Sequence, residues 1–281
     1  MTNTPQLRFL PCVDSEEMAA KNRKELDIPR NVAAELGRSA VEAAHCEYYM
    51  TRDGRQVHWG PLVQAACSSK RSIPPDALLP NGARPSFPET RVLVTNSTTL
   101  DGALEMTQRG FQPLALNFGN GIEPGGGFLT GSKAQEEVLC RSSALYKTLV
   151  GDSMYEVHKK RPLPDSTDWA IYSPEVPVFR KDDGSELDQL WLLSFITSAA
   201  PYAPRLDREL AAELLKKRIK RVLSIAQAFN HTSLVLGAWG CGAFGCDPAR
   251  TAKDFREALE NDFAGAFSDI VFAVTDRKSV V

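Results

Sequence analysis

Residues 116–137 read LNFGNGIEPGGGFLTGSKAQEE. The stretch opens inside residues 113–118 (PLALNF), a short apolar run that predicts a buried strand. It closes inside residues 134–149, where Val138, Leu145 and Leu149 share one face and predict a helix. Ser132-x-x-Gln135 fits a capping box, which places the helix start there. Between strand and helix lie Gly125, Gly126 and Gly127. Successive residues without side chains let a ligand reach backbone N–H groups, and such a nest can cradle a phosphate. Three glycines alone read better as a flexible surface turn. Glu136 and Glu137 fall within the first two turns, where acidic residues are favoured by the helix dipole whatever their role. Adjacent helical residues project about 100° apart. The two carboxylates therefore cannot flank one bond symmetrically; one can do chemistry while the other positions a substrate.

Outward from this unit the pattern repeats. Strands are expected at 91–95, 189–199, 233–238 and 269–274, and helices at 100–109, 205–229 and 248–260. Gly110 stops the first of these helices. Alternating strands and helices predict an α/β domain with helices on both faces of the sheet. The first 70 or so residues read as helical, with Asn31 capping a helix that carries Val32, Leu36, Ala40 and Ala44. A Pro- and Gly-rich connection follows at 73–88. The chain thus divides into a mainly helical extension, 1–88, packed on a main α/β domain, 89–281.

A second glycine loop, GAWGCGAFGCDP (237–248), follows the strand at 233–238. Asp247 is placed to cap the next helix and Pro248 to occupy its first position. Gly240, Gly242 and Gly245 satisfy G-x-G-x-x-G, the expression for a dinucleotide-binding turn. That fingerprint belongs to the first βα unit of its fold, whereas only 36 residues follow Gly245. A second phosphate loop facing the first is the better reading. Phe244, set among glycines, can lie against a base or sugar or can anchor the loop.

Composition limits the partners. Charged residues are 24% and the formal net charge is -2, so no global basic field exists for nucleic acid. Cys12, Cys46, Cys67, Cys140, Cys241 and Cys246 are scattered without a CxxC pair, which reads as reduced intracellular thiols rather than disulfides or a zinc site. The first residues have no apolar signal region, and no run of about 18 apolar residues exists to span a membrane. His45, His58, His158 and His231 form no ligand spacing and read as structural or surface residues. Lys216, Lys217, Arg218, Lys220 and Arg221 read as a solvated helix face able to steer a polyanion.

Asn117-x-x-Asn120, then Gly125, Gly126 and Gly127 seven residues ahead of Gln135, Glu136 and Glu137, resembles the signature of poly(ADP-ribose) glycohydrolases. The loop at 240–245 is similar to the diphosphate loop of macrodomains, and VTNSTTLDGA (94–103), LCRSSALYKTL (139–149) and IYSPEVPVFR (171–180) resemble the microbial branch. The resemblance spans roughly residues 30 to 275. It implies a three-layer α/β/α macrodomain fold with a mixed sheet and a helical N-terminal extension. By position it makes Glu137 the catalytic acid and Glu136 the holder of the substrate ribose. It places Gly125, Gly126, Gly127, Gly240, Cys241, Gly242 and Gly245 around the diphosphate, with Gln135 beside them, and Asn120 on the distal ribose. Ala243 and Phe244 close the far side of bound ADP-ribose, and Thr98 approaches the adenosine end. No metal or other cofactor is implied. Two departures bear on affinity: Cys246 stands where a polar residue is common, and FGNG (118–121) replaces FAN-Ala.

The implied reaction is hydrolysis of the ribose–ribose bond of poly(ADP-ribose), mainly from chain ends, releasing ADP-ribose. The implied setting is a monomer in the cytoplasm or nucleus, acting on ADP-ribosylated proteins in the DNA damage response. A non-catalytic ADP-ribose reader, a mono-ADP-ribosyl hydrolase and a nicotinamide-dependent oxidoreductase are the competing readings. One physical tension stands out. A helix N-terminus favours an ionised carboxylate, while a general acid must hold its proton near neutral pH.

Overall fold

The computed structural model describes residues 5–82, 86–161 and 166–276. Part of the 73–88 connection, residues 83–85, lies outside them. The middle layer is an eight-stranded sheet built from β1 (Gln6–Phe9), β4 (Arg71–Ile73), β5 (Glu89–Thr95), β6 (Leu114–Phe118), β7 (Ala170–Arg180), β8 (Glu186–Ser198), β9 (Ser233–Leu236) and β10 (Asp269–Ala273). β2 (Tyr48–Met50) and β3 (Gln56–His58) form a separate hairpin. The helices are α1 (Glu16–Leu26), α2 (Arg30–Cys46), α3 (Gly60–Ser69), α4 (Thr99–Gln108), α5 (Gln135–Ser142), α6 (Leu145–Leu149), α7 (Ser153–Lys159), α8 (Arg208–Ala228) and α9 (Pro248–Glu260).

The spatial order is β1-β5-β10-β9-β6-β8-β7-β4. The strands from β1 to β8 in that order run parallel, whereas β7 is antiparallel to both β8 and β4. The sheet is mixed because β7 and β8 are joined by a tight turn, where Gly184 supplies a φ of 86°. A tight turn reverses the chain, and the longer connections elsewhere allow parallel pairing. Side chains alternate through the sheet. Leu114 and Leu116 join the core under α8 and α9, and Ala115 joins the opposite core with residues of α2, α3, α4, α5 and α6. Helices thus cover both faces, giving the three layers expected from the sequence.

The described residues before 89 are woven into the same body. β1 extends one sheet edge and β4 the other, and α2 lies against residues 128–130 and α5. Arg180 of β7 donates to the Leu36 carbonyl at 2.9 Å and to Ser39 Oγ at 3.1 Å, fixing α2 to the sheet.

Four local expectations change. The segment at 134–149 is two helices, because Ser143 is extended and bridges to Val178 while the Ala144 N–H donates to the Pro177 carbonyl. Ser132 is not the cap of α5; the N-cap is Ala134, which makes no side-chain bond. Asn31 lies inside α2, which starts at Arg30 directly after Pro29. The basic run on α8 is not a free face. Arg218 is buried and donates to Ala199 O and Ser166 Oγ, Lys216, Lys217 and Lys220 pair with carboxylates, and Arg221 donates to the carbonyls of Pro74 and Ala77. Among the described residues no helix is long and apolar enough to cross a membrane.

Candidate active site

Parallel strands bring the loops after their C-terminal ends to one edge, and ligands of open α/β sheets bind at such an edge. Here the loops after β5, β6, β9 and β10 converge on a cavity of about 420 Å³. Thr98, Gln135, Gly240, Cys241, Gly242, Ala243 and Phe244 all line it. So do Ser97, Phe118, Lys133 and Asp182, which the sequence reading did not single out. Asp182 had one visible signal: it sits in the turn KDDG immediately after the IYSPEVPVFR stretch.

The two glutamates stand at the second and third positions of α5. Both are buried, at 3% and 8% exposure. Glu136 is tied at both oxygens. Its Oε2 accepts from the Asn120 N–H at 2.6 Å and its Oε1 from Asn117 Nδ2 at 3.3 Å. Burial pushes its carboxyl up to about 8; the Asn120 N–H opposes this, and the Glu137 charge adds to it. Burial can therefore hold a proton on a carboxyl at this helix start, against the dipole. Glu137 is tied at one oxygen only: Oε1 accepts from the Gly127 N–H at 3.0 Å, while Oε2 is buried with no hydrogen-bond partner.

The first glycine loop is folded onto these carboxylates. Gly125 and Gly126 have φ of 71° and 56°, so the left-handed turn requires glycine. A Cβ on Gly126 would lie 2.5 Å from Glu137 Oε1. The Gly127 N–H serves Glu137, the Gly125 N–H faces Glu136, and the Gly126 N–H donates to the Glu123 carbonyl. The donors that sequence reading aimed at a phosphate are engaged with the protein's own acids and Glu123. Asn120 Oδ1 accepts from the N–H groups of Ile122 and Glu123, which bends the loop into an Asx turn. His158 braces it: Nε2 accepts from the Thr167 N–H, and Nδ1 donates to the Gly121 carbonyl at 2.9 Å. Gln135 joins loop and helix to the sheet. Its Oε1 accepts from the Phe118 N–H, and its Nε2 donates to Leu116 O and Thr99 Oγ1.

The second loop faces outward. Gly240 (φ 80°) and Gly245 (φ 70°) turn it, and the Cys246 N–H closes it on the Gly240 carbonyl at 2.9 Å. Among the described residues, the N–H groups of Gly242, Ala243 and Phe244 donate to no backbone carbonyl. A Cβ on Gly242 would meet nothing within 4 Å. Asp247 caps α9 as expected, accepting from the Arg250 N–H at 3.0 Å. The Phe244 ring is braced edge-on by Tyr202, at 5.9 Å between centroids, and the Phe244 carbonyl accepts from the Ala203 N–H. Cys246 is buried, its thiol 3.6 Å from the Pro201 carbonyl. A further cavity of about 220 Å³ lies behind this loop, under α9, and is almost wholly apolar.

Glu136, Glu137, Asn120, Gly125, Gly126, Gly127 and Gly245 are not among the residues lining the 420 Å³ cavity; Gln135, at the start of the paired-glutamate helix, shares it with the open glycine loop. A three-layer mixed α/β fold with this arrangement at one sheet edge defines a macrodomain-like enzyme. The family model of the microbial-type PARG catalytic domain matches residues 37–181. The chain belongs to the microbial-type poly(ADP-ribose) glycohydrolase family. Its structure is similar to that of the poly(ADP-ribose) glycohydrolase of Thermomonospora curvata, with 37% identity, a TM-score of 0.81, and coverage of 88% of this chain and 95% of that one. The same enzyme bound to the inhibitor ADP-HPD matches at 38% identity and a TM-score of 0.82, with the same coverage. The Deinococcus radiodurans enzyme in complex with ADP-ribose matches at 36% identity and a TM-score of 0.67, covering 76% of this chain and 90% of that one. No curated protein matches the chain.

Proposed function

We propose that this poly(ADP-ribose) glycohydrolase cuts the ribose–ribose bond with Glu137 as acid and then base, while Glu136 holds the reacting ribose. One observation carries the assignment. Of the two buried carboxyls, only Glu137 has an unbonded oxygen, Oε2; Glu136 is tied at both of its oxygens. In the first step Glu137 gives its proton to the leaving 2′-oxygen as the bond from the anomeric carbon to that oxygen breaks. The electron pair leaves with the oxygen, and the substrate's own diphosphate stabilises the oxocarbenium-like centre. Water then adds to that carbon, and its proton returns to the Glu137 carboxylate. This departs from the usual pair of carboxylates flanking a glycosidic bond.

The N–H groups of Gly242, Ala243 and Phe244 would face the diphosphate, as a nest of donors can. Gly125, Gly126, Gly127, Asn120 and Gln135 would shape the ribose end, and Thr98 the adenosine end. Ala243 and Phe244 would close the far side, so cleavage would proceed mainly from chain ends. Following the family, the substrate would be polymer on ADP-ribosylated proteins inside the cell, met by a monomer built of an N-terminal extension, 1–88, on a catalytic domain, 89–281.

The test is incubation of wild type, Glu137→Gln and Glu136→Gln with defined polymer. Wild type should release ADP-ribose, and both variants should be impaired, Glu137→Gln more deeply. Near-normal release by Glu137→Gln removes the assignment. Binding without release by wild type would make the chain a reader, and a product ladder rather than ADP-ribose would make it an internal cutter.

A further inference from the structure

Arg141 lies four residues after Glu137 on α5, one turn along the same face. Its side chain is fully buried, and none of its three guanidinium nitrogens has a hydrogen-bond partner among the described residues. A buried cation without partners is unfavourable, so its retention calls for an explanation. Two buried acids supply a context. Glu137 Oε2 and Asp182 Oδ1 are each likewise without a partner. The charges of Asp182 and Glu137 both reach the guanidinium and partly offset the effect of its burial. Asp182 in turn accepts from Thr98 Oγ1 at 2.7 Å, and the Arg141 charge favours its ionised form. Thr98 and Asp182 both line the cavity.

We propose that Arg141 is a positioning residue for the acid: its guanidinium, buried on the helix turn after Glu137 and bonded to neither Glu137 nor Asp182, balances the carboxylate left on Glu137 after proton transfer and couples it to the Asp182–Thr98 end of the cavity. The inference rests on the role proposed for Glu137. Its logic is one of distance. An arginine hydrogen-bonded to Glu137 would fix it as a carboxylate, which cannot act as an acid. A cation beyond hydrogen-bond range forms no such fixed pair, yet lowers the cost of the anion formed as the bond breaks. The low dielectric of the site makes that longer-range attraction effective.

Other charges also face these groups. Glu136 and the Cys140 thiol lie on α5 itself, and Arg180 of β7 donates to the Arg141 carbonyl at 3.4 Å. Around Asp182 stand Glu25 of α1 and Asp101 of α4, with Lys21 of α1 bonded to Asp101 at 2.5 Å. These are unchanged in a single substitution at Arg141, so the sign of the effect is fixed by the charge removed.

The experiment is a pH–rate profile on defined polymer for wild type, Arg141→Met, Arg141→Lys, Asp182→Asn and Glu137→Gln, with kcat and KM resolved. Arg141→Met should lose about tenfold or more in kcat with KM changed less than about threefold. Its alkaline limb should move to higher pH, and Arg141→Lys should restore the wild-type limb. Asp182→Asn should move the limb the opposite way, to lower pH, because it removes the competing anion. A folded Arg141→Met with wild-type kcat and an unmoved limb overturns the proposal. If that variant does not fold, an unmoved or raised limb in Asp182→Asn overturns it instead. A Glu137→Gln variant that still turns over would bring down the acid assignment itself, which separates the two failures.

Discussion

The two glycine loops look alike in sequence and are built in opposite senses. The first turns inward: its N–H groups go to Glu136, Glu137 and the Glu123 carbonyl, and His158 and Asn120 hold its backbone. The second turns outward, with the N–H groups of Gly242, Ala243 and Phe244 bonded to no carbonyl among the described residues. Glycine serves close approach in both, but to the protein's own carboxylates in one and to open space in the other. Under the proposed function the first loop would belong to the reacting machinery, and the second would receive the diphosphate charge. The difference teaches that a glycine run announces close approach without saying what approaches.

Substitutions can break this contrast. The largest effect is expected from Glu137→Gln, which keeps the shape and the Gly127 bond but removes the proton. Its kcat should fall by about 10²–10⁴-fold, while ADP-ribose affinity measured by calorimetry stays close to wild type. Gly126→Ala comes next. The new Cβ would meet Glu137 Oε1 at 2.5 Å, at a φ of 56° that side chains resist. Strain and displacement of the acid should lower kcat by about 10²-fold, as misplacement of reacting groups does. Gly242→Ala is the matched control in the outward loop, with nothing within 4 Å of its added Cβ. Equal losses in the two alanine variants would erase the distinction between the loops.

Phe244→Ala probes the outward loop more gently. An aromatic contact contributes about 0.5–1.5 kcal/mol beyond area burial, so ADP-ribose should bind about tenfold more weakly, with kcat at saturating polymer within about threefold. If Phe244 closes the far side, product gels of this variant should gain longer fragments. A loss confined to kcat would instead place the ring with the reacting groups.

Much of the fold is legible in the sequence. Alternating apolar runs give the layers, since residues such as Leu114, Ala115 and Leu116 must face two cores. The fixed spacing from Gly125 to Glu137 carries the resemblance to the family, and the loop does fold back on the next helix, its Gly127 N–H reaching Glu137. The short edge strands β1 and β4 were not legible: strands of 4 and 3 residues carry no usable periodicity. Nor was the break at Ser143, where pairing with β7 overrides an unbroken helical pattern. The engagement of the first loop's donors was hidden because N–H direction depends on φ, which sequence does not print. Asp182 and Arg141 are not legible because a charged residue in a turn or on a helix reads as solvated until its burial is known.

The smallest expected effect tests burial itself, through stability. Glu136 is held at about 8 in the folded chain against an ordinary 4.5, and Asp182 at about 7 against 3.8, both chiefly by burial. Across those intervals the unfolded chain has released protons that the folded chain keeps. The contribution of these two carboxyls to stability therefore falls as pH rises through the window and levels above about 8. His231 acts the other way: burial lowers its pKa, so the unfolded chain binds a proton that the folded chain refuses, and stability rises with pH up to about 6.5. The clean interval is thus pH 6.5 to 8, where the histidine contribution has ended and the two carboxyls still titrate. Wild-type Tm should drop by roughly 5 °C over that interval. Glu136→Gln should drop clearly less, because an amide has no proton to lose while it can still accept from the Asn120 N–H. A level wild-type Tm, or a variant that falls as steeply, would mean that the inward loop holds its acid without the proton that burial demands.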